Sequence, residues 1–127
     1  MKKLIVLVLI FGGLWSYASR RFNFSDILAY AKKHQSSSWA PKVVYSVGLV
    51  YYQRAEYAKS QEAFTQLLTD YPTGQYTPKA LLRLSEVAEE TRDFEAARTA
   101  LSRFFEEYPD HPDIQLAQKR YELVRNH

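Results

Sequence analysis

The sequence predicts an all-α fold, a stack of antiparallel helical hairpins preceded by one hydrophobic helix, and three observations carry that expectation. Tyr71-Pro72 recurs as Tyr108-Pro109 and Pro41-Lys42 as Pro78-Lys79, so the chain repeats itself at an offset of 37 residues. Within each copy apolar positions fall at helical spacing, at 44, 47, 48 and 51 and then at 57, 64, 67, 68 and 71. The prolines punctuate this pattern: Pro41, Pro78 and Pro112 suit first helical turns, where a missing donor costs least, and Pro72 and Pro109 close the preceding helices.

Taken in order, the first element is residues 1–21. Lys2-Lys3 precede the run LIVLVLIFGGLW at 4–15, and Ser16-Tyr17-Ala18 follow with small residues three and one before a possible cut after Ala18. That is the layout of a secretory signal, and cleavage would leave a chain starting at Ser19. Retention as a membrane anchor is the alternative. Residues 4–19 would make about 24 Å of helix, short of a ~30 Å hydrocarbon core unless Lys3 and Arg20 snorkel. Arg20-Arg21 directly after the run disfavour export of that flank. With no cysteine in the sequence, a lipid anchor on this segment is excluded, as are disulfides and thiolate metal sites.

Residues 22–127 then read as the repeat domain. Two full units span 40–71 and 77–108, with half units at 24–34 and 112–125, and helices are expected at about 40–53, 57–70, 77–91, 94–107 and 112–125. The half unit 24–34 is in register with the second helix of a unit, Ile27 falling on Phe64. Identities between copies are few, but residue class agrees throughout: Val44/Leu81, Val47/Leu84, Tyr57/Phe94, Phe64/Leu101, Leu67/Phe104 and Leu68/Phe105 are apolar pairs. Gly48, Ser85, Ala97 and Ala117 are small enough for close helix approach, with Phe64, Phe104, Phe105 and Tyr121 filling the space between. A single hairpin cannot bury its own apolar face, so the stack folds as one array.

Gly48, Tyr51, Phe64 and Pro72, at separations of 3, 13 and 8, give the chain a motif that resembles the tetratricopeptide repeat family over about residues 24–125. The unit of 37 residues and the junctions YPTGQYTPKALLRL and YPDHPDIQLAQKRY are similar to the longer-unit branch found in bacterial envelope proteins of the outer-membrane-assembly lipoprotein and Tol-Pal-associated periplasmic type. Ser60, where the family favours alanine, and Ala88, where it favours tyrosine, depart from the pattern. The resemblance implies an α-solenoid on the extracytoplasmic side of the bacterial envelope whose concave groove is lined by the first helix of each unit. Carried across position by position, the groove residues are Lys42, Tyr45, Leu49, Tyr52 and Gln53 in the first unit and Lys79, Leu82, Glu86, Glu89 and Glu90 in the second.

Composition narrows the function further. The net charge of +3 is too small for a general pull on nucleic acid, but residues 19–85 hold nine Lys/Arg against four Asp/Glu, and 86–127 hold six against ten. The basic end suits anionic lipid or a partner, and the acidic end repels both. His34, His111 and His127 have no carboxylate or second histidine at metal-binding spacing, and Glu89-Glu90 and Glu106-Glu107 are adjacent pairs that point apart on a helix. Ser36-Ser37-Ser38 reads as a turn, and no glycine-rich phosphate loop is present. The expectation is a non-enzymatic adaptor without cofactor, metal or small-molecule substrate, binding a protein partner through the groove. An accessory structural subunit of a membrane complex, held by the N-terminal helix, is the alternative.

Overall fold

A computed structural model describes residues 2–21 and 24–127, with side chains described for 2–15 and 24–127. The expected boundary between residues 21 and 22, and the side chains of Ser16, Tyr17, Ala18 and Arg20, therefore lie outside the described residues. Those described form seven helices and no strand: α1 (Lys2–Arg21), α2 (Ser25–Lys33), α3 (Ala40–Gln53), α4 (Tyr57–Asp70), α5 (Thr77–Glu90), α6 (Phe94–Glu107) and α7 (Ile114–Val124). Hairpins α3–α4 and α5–α6 are successive units, α2 packs on α3 at one end, and α7 packs on α6 and touches α5 at the other.

The 37-residue offset holds in space, since α3, α5 and α7 begin at 40, 77 and 114. Pro41 and Pro78 occupy the first turn of α3 and α5 as expected. Pro112 does not: α7 starts two residues later than the sequence suggests, with Asp113 at its N-cap. The cause is local, because the Ile114 N–H donates to the His111 carbonyl, repeating the turn in which Thr77 donates to Gly74. The Asp113 N–H donates to His111 Nδ1 at 3.0 Å, so His111 closes the turn ahead of the helix. Helix α5 likewise ends at Glu90, with Thr91 as its C-cap.

Within each hairpin the connection is a tight αL turn. Ala55 and Arg92, 37 residues apart, have φ of 59° and 60°, and the next N–H, of Glu56 or Asp93, reaches back to the carbonyl of Tyr51 or Ala88 at 2.9 and 2.8 Å. The core runs through the whole stack, with Val44, Phe64, Leu67, Leu81, Leu101 and Phe104 all essentially inaccessible. Burial of apolar surface at about 25 cal/mol per Å² is the main stabilising term for such a chain, which has no disulfide. Gln66 donates to the Leu28 carbonyl at 3.0 Å and the Tyr71 hydroxyl to that of Gln35 at 2.7 Å, pinning α2 and its following turn to α4.

Helix α7 ends the described stack differently. The positions that bury Leu81, Leu82, Ser85 and Ala88 in α5 carry Gln118, Lys119, Glu122 and Arg125 in α7, all exposed. Positions that are buried in α5 are thus polar and exposed in α7. At the other end, α1 stands apart from this core: from Leu4 to Phe11, and at Leu14 and Trp15, each large apolar side chain is more than half exposed. No described helix is long and apolar enough to cross a membrane.

Candidate partner-binding groove

Because α3, α5 and α7 are the first helices of successive units, they lie side by side and line one face of the stack. Their side chains enclose a cleft of about 350 Å³ bounded by Tyr45, Lys79, Leu82, Arg83, Glu86, Asp113 and Leu116. Four of the ten sequence-derived groove residues, Tyr45, Lys79, Leu82 and Glu86, line it. Leu82 is buried, so it forms the floor rather than a free contact. Tyr45 is half-buried, its ring 5.8 Å from Phe64 and 5.4 Å from Tyr76, and it hydrogen-bonds Arg83, which raises that guanidinium's pKa.

The other six sit nearby without lining this cleft. Leu49 and Tyr52 are half-buried against the core, with Tyr52 5.6 Å from Tyr57. Burial pushes the Tyr52 phenol's pKa up, and Glu86 and Glu90 add to that. Lys42, Gln53 and Glu90 are exposed. Glu89 is half-buried and its carboxyl pKa is raised, chiefly by burial, against the lowering pull of Arg120.

Arg120 is the residue that sequence reasoning missed, and it changes the electrostatics of the groove. It reaches from α7 to Glu86 at 3.2 Å and to Glu89 at 3.5 Å, while Arg83 holds the second Glu86 oxygen at 3.1 Å. The expected acidic end is therefore largely neutralised from within, and the exposed charges left at the cleft are Lys79 and, across from it on the α7 side, Asp113, whose side chain is 48% exposed. Beside it Leu116 is 44% exposed, and Leu123, seven residues on along the same helical face, is 67% exposed. The signal that could have found them was the repeat itself, since one further step of 37 from Lys79, Arg83 and Glu86 lands on Leu116, Arg120 and Leu123.

An apolar floor, exposed leucines and the exposed charges of Lys79 and Asp113 make a surface suited to recognition. Among the described residues no group of three His, Asp or Glu is placed to hold a metal ion. Over residues 38–119 the chain matches the family model YfiO, described as Outer membrane lipoprotein, and no curated protein matches it.

Proposed function

The chain belongs to the YfiO outer membrane lipoprotein family, a helical-repeat family of the bacterial envelope on its periplasmic side, and we propose that it docks a protein partner in the cleft between α3, α5 and α7. Such a family works by protein–protein contact. The finer reading concerns what this cleft selects. Leu116 and Leu82 offer apolar contact, Tyr45 a large amphipathic one, and Lys79 a cation without an ion pair among the described residues. Glu86 and Glu89 are already held by Arg120, so a basic segment gains little there. The partner segment that fits carries an apolar side chain with an Asp or Glu on the Lys79 side and none facing Asp113, lying across the groove as a peptide or amphipathic helix. The single observation that carries this is exposed Leu116 beside Lys79 over an internally neutralised floor.

A photo-crosslinking residue at 116, tested in intact envelopes of the native host, should capture a discrete partner, and Lys79→Glu should reduce that capture. The same residue at Gln118, on the outer face of α7, should not. Equal capture at both positions would remove the groove from the reading.

Attachment is the second component. The sequence has no cysteine to carry a thioether-linked lipid, although the family is one of lipoproteins. The exposed apolar surface of α1 makes it the candidate tether, embedded in lipid along its apolar run at 4–15. This also supports the accessory-subunit role, in which α1 holds the repeats at a membrane complex. Mass measurement of the mature N-terminus decides between the tether and a cleaved signal, because a chain starting at Ser19 would eliminate both the tether and that role.

A further inference from the structure

We infer that the α2 end of the stack is a bilayer-facing surface, built to lie on anionic lipid headgroups. Tyr30 of α2 and Trp39, the N-cap of α3, are 57% and 40% exposed, yet their rings stack at 5.8 Å with an interplanar angle of 20°. His34 joins them, 4.3 Å from Tyr30 and 6.0 Å from Trp39, and its Nδ1 donates to the Tyr30 carbonyl at 3.0 Å. One stacked pair and a tilted third ring thus pack against one another on the outside of the molecule.

An amphipathic aromatic plate of this kind belongs where one edge is apolar and the other wet. Each exposed ring has a lysine three residues on, Lys33 after Tyr30 and Lys42 after Trp39, the spacing that sets helical side chains next to one another. Lys32 adds a further exposed cation, and Asp26, one turn below Tyr30, is the opposing charge on α2. Aromatic rings ringed by lysine match an anionic membrane surface in both polarity and sign.

Chain connectivity supplies the third argument. Arg21 ends α1 and Ser25 begins α2, so the two helix ends stand no more than about 14 Å apart however the link runs. If α1 is embedded in lipid, the start of α2 is held close to the headgroups, and the aromatic plate that α2 and the α3 N-cap expose next to it is Tyr30, Lys33 and Trp39. The inference rests on the tether reading for this confinement, but it makes a separate claim about which side of the repeat domain touches lipid. The groove, on the face of α3, α5 and α7, then remains open for its protein partner.

The chain has two tryptophans, so Trp15→Phe leaves Trp39 as the sole reporter. The full-length variant is mixed with vesicles of phosphatidylcholine, with or without phosphatidylglycerol, and separated by flotation. Trp39 emission is then read against lipids brominated in the upper acyl chain. The expected result is flotation in both cases, with a blue-shifted and quenched Trp39 on the phosphatidylglycerol vesicles. Lys32→Gln with Lys33→Gln should weaken that engagement by about fivefold per lysine lost, without abolishing flotation. Flotation with a Trp39 that stays unquenched would overturn the bilayer-facing surface while leaving the tether standing, and would assign the aromatic plate to a protein contact instead. Failure to float would overturn both.

Discussion

Hairpins α3–α4 and α5–α6 share length, register and turn geometry, but they fill the point of closest helix approach in opposite ways. In the first, Gly48 faces Phe64, and a Cβ at Gly48 would stand 2.6 Å from the Phe64 ring. In the second the same two positions are Ser85 and Leu101, both fully buried. A smaller residue on one helix is matched by a larger one on the other. The polar complement follows the same exchange: Ser60 on α4 donates to the Gly48 carbonyl at 2.7 Å, whereas its counterpart is Ala97 and the hydroxyl has moved to Ser85, which donates to Leu82 at 2.6 Å. Repeats conserve the filled volume and the satisfied hydroxyl, not the residue, which explains how copies with few identities stack into one core.

The largest expected effect tests whether both hairpins do share that core. Leu101→Asp places a carboxylate where no cation is at hand and no solvent enters, and should cost about 4 kcal/mol or more by urea or thermal unfolding. A near-native unfolding midpoint would show that position 101 is not the equivalent of Phe64.

The fold was legible in advance because its signals are local and repeated. Helix starts at 40, 57, 77 and 94 follow from the apolar spacing and the prolines, and Ser60, a departure from the alanine that the repeat pattern favours, now has its reason in the Gly48 carbonyl. The start of α7 was misread because Pro112 mimics Pro41 and Pro78, while the turn closed by His111 pushes the helix two residues on. The groove was half legible. Its positions follow from the repeat, but whether a glutamate there is free or paired depends on a side chain arriving from another helix, and Arg120 leaves no mark in the local pattern of α5.

A finer test takes the volume exchange itself. Gly48→Ser alone must displace the Phe64 ring and should cost about 2 kcal/mol. Phe64→Leu alone should cost about 1–2 kcal/mol through the space it leaves. Together they recreate the packing of the second hairpin, so the double variant should lie within about 1 kcal/mol of the parent, a strongly non-additive cycle. Additive losses would mean that the two hairpins are similar only in outline and that Gly48 answers to some neighbour other than Phe64.

The smallest effect comes from the one place where the hairpins agree in geometry but differ in environment. Ala55 and Arg92 both hold the left-handed turn conformation that glycine adopts without penalty, and both are exposed. Relief of that strain, reduced by the extra freedom glycine gives the unfolded chain, should leave Ala55→Gly about 0.5 kcal/mol more stable. Arg92 has an added contact, its guanidinium lying 5.5 Å from the centre of the Phe94 ring, which contributes about 0.5 kcal/mol at an exposed site. Arg92→Gly loses that contact as it gains the relaxed turn, so its unfolding midpoint should barely move. Equal stabilisation at both sites would show that the ring contact contributes nothing, and that the two turns are the same in energy as well as in shape.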